Sequence, residues 1–353
     1  MQTVQVSNVE TDPQETVCAD GAAVGVAGGV VGGDAAEAVA GAARPVEVLE
    51  PRDVPLGGPR AMTVRRTLPQ RQRSMIGAWC FADHYGPDDV SATGGMDVPP
   101  HPHTGLQTVS WLFTGEVEHR DSLGTHAMVR PGELNLMTGG AGIAHSEVST
   151  PGTTVLHGAQ LWVALPLAHL DAPRRFQHHA PAAVRVGDAT VRVFLGSLAG
   201  QGSPVETFTP LLGAELTLDP GATLTLEVDP AHEHGVLADS PGLRLEGTEV
   251  ARAALAFLPT GRSTLVLAND GTAPARALLL GGPPFEEEVV MWWNFVGRSH
   301  EDIVAARAAW MAHSDRFGEV NGYEGVVQHL PAPVIPGVRI RPRSNASRAT
   351  RGS

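Results

Sequence analysis

The stretch whose reading decides the fold runs from Pro99 to Glu147. It opens on Pro99-Pro100-His101-Pro102-His103-Thr104-Gly105 and closes on Gly142-Ile143-Ala144-His145-Ser146-Glu147. Each end carries a pair of metal-capable side chains at positions i and i+2. Side chains on an extended strand alternate faces, so such a pair points the same way. His101 and His103 therefore share a face, and so do His145 and Glu147. If the two strands meet in one β-barrel, three imidazoles and one carboxylate converge. Pro99, Pro100 and Pro102 confine the first strand to an edge or a barrel rim, because proline cannot donate to a ladder. A barrel mouth is where a ligand cavity belongs.

Histidine density supports this reading. Six of the fifteen histidines (His101, His103, His119, His126, His145 and His157) lie between residues 101 and 157. An isolated His-x-His carries little weight in so His-rich a chain. His232-x-His234 has no second pair downstream and reads as a solvent-side loop after Pro230. His119, His126 and His157 read as structural residues, or as further ligands or partners that orient the ligand rings. Three His and one Glu leave coordination positions open. That suits one Fe(II) best, with Mn, Ni or Co as alternatives, and Zn less apt because it prefers four-coordinate closure. One carboxylate leaves the site net positive, so it attracts an anionic phenolate or enolate oxygen.

Outward from this stretch, 353 residues allow two domains at a prior of ~150 residues each. With 41 Gly and 28 Pro the chain is turn-rich, which favours β architecture. A formal charge of −13 argues against direct nucleic-acid binding. Cys18 and Cys80 read as free thiols in a reducing compartment. No signal peptide and no long apolar run is evident, so the expectation is a cytoplasmic protein with no membrane span.

Alternation and turn residues give short strands at Val46–Glu50, Met62–Arg66, Met75–His84, Leu106–Phe113, Glu116–Asp121, Leu134–Met137 and Thr154–Leu165. Pro166 to Ala183 reads as a polar connector. The pattern restarts with strands at Val191–Leu195, Glu215–Leu218, Thr223–Val228, Val236–Ala238, Leu243–Leu245, Leu255–Leu258, Ser263–Ala268 and Ala275–Leu280. The fold class is all-β: two tandem barrels with a short C-terminal helix. Residues 1–46 read as a disordered Ala/Gly-rich tail, with at most a marginal helix at Asp34–Ala43. A metal-binding barrel spans 47–178 and a metal-free barrel spans 184–296. A helical segment spans 297–316, with Ser299 as N-cap and Ile303, Ala306, Trp310 and Met311 on one side. From 331 to 353 the chain reads as a disordered Arg-rich tail.

Several of these segments together resemble one family. They are Pro100-His101-Pro102-His103-Thr104-Gly105-Leu106-Gln107, Gly115-Glu116-Val117-Glu118-His119-Arg120-Asp121-Ser122-Leu123-Gly124, Arg130-Pro131-Gly132-Glu133 and Gly142 to Glu147. Gln160 to Pro166 and Val290 to Val296 join them. The set resembles the pirin family over roughly Val46 to Arg316. The resemblance implies a bicupin of two jelly-roll-like barrels with metal only in the first. By position, the family's iron ligands match His101, His103, His145 and Glu147. The general cupin motif takes its carboxylate a few residues after His-x-His. Gln107 stands there, an amide, so the carboxylate has to come from Glu147, which is also a candidate base. The resemblance further implies two kinds of function. One is a quercetin 2,3-dioxygenase, in which a metal-chelated flavonol reacts with O2, its ring opens and carbon monoxide leaves. The other is a non-catalytic, metal-dependent co-regulator that acts through a protein partner.

Overall fold

The computed structural model describes residues 45–56 and 62–345. The expected N-terminal tail up to residue 44, the helix at Asp34–Ala43, Cys18, and the last eight residues lie outside the described part.

Two barrels of one architecture account for most of it. Each pairs a seven-stranded antiparallel sheet with a four-stranded one. In the first barrel the large sheet runs Arg175–His179, Leu134–Thr138, Leu106–Thr114, Val155–Ala164, Trp79–Asp89, Thr63–Leu68, Arg52–Pro55. The small sheet runs Asp97–His103, Ile143–Ser149, Val117–Asp121, His126–Val129. In the second barrel Glu47–Leu49, Leu255–Leu258, Glu233–Ala238, Ala275–Gly282, Leu212–Leu218, Ala189–Leu195 and Val184–Val186 form the large sheet. Thr223–Glu227, Thr264–Asn269, Leu243–Leu245 and Thr248–Val250 form the small one. The all-β, two-barrel reading therefore holds, and most strands fall where alternation and turn residues put them. Among the described residues no helix is long and apolar enough to cross a membrane.

The large sheets pack on each other and bury a shared core. Trp79, Val109, Trp111, Leu134 and Leu161 from the first barrel meet Phe194, Leu237, Phe257, Leu278 and Leu280 from the second. Two indoles also bond across this boundary. Trp111 Nε1 donates to Glu215 Oε2 at 2.9 Å, and Trp79 Nε1 donates to the Gly281 carbonyl at 3.2 Å. Burial of these polar atoms is tolerable because each has a partner.

Four expectations need correction. Glu47–Leu49 belongs to the second barrel, not the first, because it pairs with Leu255–Leu258. Val46 and Val48 pack against the second barrel's core, and a three-residue strand carries no signal of its partner. The polar connector contains a strand, Arg175–His179, which pairs with Leu134–Thr138. It is polar because it is a sheet edge, half exposed along its length. His234 is not a solvent-side loop residue: it lies on Glu233–Ala238 and is 1% exposed. The C-terminal segment is no free tail up to Asn345. Leu330 N donates to the Pro100 carbonyl, Arg343 bridges to Val289, and Asn345 Oδ1 accepts from Ser74 N and Met75 N. These are mostly main-chain contacts, which no side-chain periodicity announces.

The helix spans His300–Met311, starting directly after the expected N-cap Ser299 and ending five residues short of the expected segment's end at 316. Ser299 Oγ accepts from Asp302 N at 3.1 Å, and Asp302 Oδ2 accepts from Ser299 N at 2.9 Å. This is a capping box with Asp in the third position. Ile303, Ala306 and Trp310 face the body, whereas Met311, read onto the same face, is 39% exposed. Arg339 pairs with Glu301 in the first turn, so part of the basic C-terminal segment does meet the acidic body.

Two stability tests follow from this packing. Trp111→Ala removes one of the two indole anchors between the barrels and a partner of Glu215, so chemical denaturation should show a loss of about 3–5 kcal/mol. Ser299→Ala should cost about 1 kcal/mol by the same measurement, with the barrels' circular dichroism unchanged.

Candidate metal centre

The small sheet of the first barrel builds the site from three adjacent strands. Asp97–His103 is its edge strand, as its prolines require. Ile143–Ser149 is paired on both sides. It sets His145 opposite His101, with a register shift between His145 and Glu147. On its other side it sets His145 opposite Asp121 and Glu147 opposite His119. Alternation then turns His101, His103, His145, Glu147, His119 and Asp121 to the barrel interior. All six are under 8% exposed.

Two glycines fix the ends of the ligand strands. Gly105 has φ +68°, and a Cβ there would sit 2.1 Å from the Val296 carbonyl oxygen. Gly140 has φ +51°, and a Cβ there would sit 1.8 Å from the Ala172 carbonyl oxygen. Both positions exclude any side chain. Gly105 N also donates to the Gly140 carbonyl at 2.8 Å, tying the two strand ends together.

Two overlapping groups of donors result. His101, His103 and His145 bring one nitrogen each to within 4.8 Å of one another. His119, His145 and Glu147 form a second group by the same measure, so His145 is common to both. His103 Nε2 lies 3.0 Å from His145 Nε2. His101 Nδ1 donates to the Pro99 carbonyl at 2.9 Å, which leaves its Nε2 unprotonated and free to ligate. Burial pushes the His101 imidazole down to about 4, against the Pro99 carbonyl, which opposes the shift. Burial likewise holds His103 and His145 well below the usual imidazole range, and the neighbouring histidines add to it. Neutral imidazoles keep lone pairs available, so this donor set fits a divalent ion.

Glu147 lies two residues further along the same strand as His145. Burial raises its carboxyl, and the hydrogen bond from Ser110 opposes the rise. Ser110 Oγ donates to Glu147 Oε1 at 3.2 Å. Aromatic residues form the adjoining wall. Phe81 and Trp162 stack at 3.9 Å, and Trp162 meets the His103 ring at 5.2 Å. Arg66 lies over Phe81 and forms a two-point pair with Asp83 at 2.7 and 2.9 Å.

The other sequence candidates fall elsewhere. Gln107 shares parity with Val109 and Trp111, whose side chains lie in the inter-barrel core, and its Nε2 donates to Thr138 Oγ1 at 2.9 Å. It therefore faces away from the histidines. His126 lies at the surface, 3.5 Å from Glu118. His157 joins His84 and Asp239 in a third buried group between the barrels. Arg65 Nη1 donates to His84 Nδ1 at 3.1 Å, so His84 Nε2 carries the proton that it donates to Asp239 Oδ1 at 2.7 Å. That protonation makes the group an inter-barrel hydrogen-bond network instead of a ligand set. Sequence reasoning missed Asp121. The signal was present, because His119-x-Asp121 repeats the i, i+2 pattern on the strand Val117–Asp121.

Comparison with known proteins bears on the whole architecture. The family model described as Pirin matches residues 61–163, and that of the Pirin C-terminal cupin domain matches residues 213–318. A Pseudomonas aeruginosa protein provisionally named quercetin 2,3-dioxygenase is 47% identical over 287 residues, 81% of this chain and 89% of that protein. A pirin-like protein of Caulobacter vibrioides is 34% identical, over 70% of this chain and 88% of its own length. The crystal structure of quercetin 2,3-dioxygenase from Acinetobacter baumannii superposes with a TM-score of 0.79 at 37% identity, covering 84% of this chain and 97% of that one. Matched by family models in both barrels and by relatives along most of its length, this chain belongs to the pirin family.

Proposed function

We propose that this chain is a metal-dependent oxygenase of the quercetin 2,3-dioxygenase type, acting on a flavonol or a similar phenolic or enolate substrate. The observation that carries the reading is the convergence of three buried, neutral imidazoles inside one barrel. The names of the Pseudomonas and Acinetobacter relatives support the reaction class. His101, His103 and His145 hold the ion, with Glu147 as the carboxylate that completes the set. Fe(II) is the first choice for an open site of this composition, with Mn, Ni, Co or Zn as alternatives. When bound, such an ion supplies a Lewis-acidic position for an anionic substrate oxygen and for chemistry with O2.

The chain's own residues do the rest. The Phe81–Trp162 stack offers a flat apolar wall beside His103, suited to an aromatic ring. Glu147, buried and held by Ser110, accepts the substrate hydroxyl proton at its carboxylate. The small and large sheets around the site limit water access to the reacting group.

The test loads purified protein with Fe(II), adds quercetin under oxygen, and follows loss of the flavonol absorbance. Wild-type protein should turn over. His101→Ala should lose more than about 100-fold in metal affinity, beyond the cost of losing a ring-orienting partner alone. Glu147→Ala should lose about 100-fold or more in rate, as expected for a general base. Full metal occupancy without turnover on a flavonoid panel would replace this reading with a non-catalytic, metal-dependent protein that acts through a protein partner.

A further inference from the structure

The metal reading uses His101, His103, His145 and Glu147, and leaves His119 and Asp121 unexplained. Both are 2% exposed, so both carry polar atoms that need a reason to be buried. His119 Nδ1 lies 3.3 Å from His145 Nδ1, and His119 Nε2 lies 3.3 Å from Asp121 Oδ2. The far side of Asp121 is also fixed. Its Oδ1 accepts from Leu123 N and Thr125 N, each at 2.9 Å. The carboxylate is thus held in place by two main-chain amides and turned toward His119 by its other oxygen.

We infer that Asp121 and His119 are positioning residues that fix the protonation of His145, so that its Nε2 lone pair faces the metal position. This rests on the metal reading above and extends it beyond the ligands. Protons can be assigned along the row from one end. The Asp121 carboxylate only accepts, so His119 Nε2 must carry the proton of their contact. A neutral His119 then has its lone pair on Nδ1. That lone pair must accept from His145 Nδ1, which therefore carries a proton. His145 Nε2 is left unprotonated, on the side where His103 Nε2 lies 3.0 Å away. The row ends at the donor that both groups of candidate ligands share. It also explains why His119 is not itself required as a ligand: its lone pair is already used by His145.

Asp121→Asn reverses the row without changing its size. The Asn oxygen can keep the Leu123 and Thr125 amides, so its NH2 faces His119 Nε2 and donates to it. His119 then carries its proton on Nδ1 and confronts His145 Nδ1–H. His145 must move its proton to Nε2, where it blocks the metal. His119→Asn acts differently. An Asn oxygen takes the place of the ring Nδ1 and accepts from His145 without help from Asp121.

The experiment measures Co(II) affinity by chelator competition. It also counts coordinated imidazoles by X-ray absorption and reads the His145 ring protons by NMR of zinc-loaded, 15N-histidine-labelled protein. Asp121→Asn should bind Co(II) about 10–100-fold more weakly than wild type. His119→Asn should stay within a few-fold of wild type, keep the same number of imidazole ligands, and become indifferent to the added Asp121→Asn change. The zinc-loaded wild type should carry its His145 proton on Nδ1. Equal affinity in Asp121→Asn and wild type would overturn the inference while leaving the metal reading intact. One imidazole fewer in His119→Asn would also overturn it, by making His119 a ligand. A wild-type protein that takes up neither ion would remove the metal reading and this inference together.

Discussion

The register of three antiparallel strands is the constraint on which the site depends. His101, His145 and Asp121 lie in one line across the small sheet of the first barrel, because Asp97–His103, Ile143–Ser149 and Val117–Asp121 pair side by side. With a side-chain period of two, a slip of one residue in any of these pairings would turn its polar side chains out of the barrel. Several features hold the register. Gly105 and Gly140 admit only backbone at the strand ends, and on the edge strand's outer side the Pro100 carbonyl accepts from Leu330 N. The C-terminal segment therefore supports the ligand strand from its open side.

The two barrels solve the same packing problem in opposite ways. The second fills its interior with Ala, Val and Leu, such as Val191, Leu216, Leu224, Leu226, Leu265 and Leu267. Thr223–Glu227 and Thr264–Asn269 occupy in its small sheet the places that Asp97–His103 and Ile143–Ser149 occupy in the first. Where the first has imidazoles, the second has leucines. An apolar interior of this kind stabilises the fold by burial, although the strand Glu233–Ala238 also buries one imidazole there, His234. The first barrel gives up part of that burial and carries instead a connected set of buried polar groups, which is tolerable because most are hydrogen-bonded or face one another.

The barrels are joined by more than apolar contact. Trp79 and Trp111 reach across the boundary to acceptors on the second barrel, and Asp239 receives hydrogen bonds from His84 and His157 on the first. Burial opposes ionisation of Asp239, yet the bonds from His157 and His84 hold its carboxyl far below its ordinary range. The exchanged segment Glu47–Leu49 adds a covalent tie, since it enters the second barrel's sheet before the chain builds the first. The second barrel thus packs behind the large sheet of the first.

Much of this was legible in the amino-acid sequence because it depends on local geometry. Strand alternation alone turned His101 and His103 to one face and His145 and Glu147 to one face. Gly and Pro punctuation separated two sets of strands, and Ser299 with Asp302 marked the helix start. What the sequence could not reveal depends on which strands become neighbours. Glu47–Leu49 and Arg175–His179 are too short or too polar to announce their partners, and Pro331–Asn345 is held by the main-chain pairing of Arg343 with Val289 and by the isolated side chains of Arg339 and Asn345, which leave no periodic pattern. His234 looked solvated because burial of a single imidazole leaves no periodic trace. Gln107 looked like a failed ligand, whereas its face points away from the histidines. The alignment of Asp121, His119 and His145 was likewise set only in the folded barrel, because cross-strand register is a property of three segments brought together and of none of them alone.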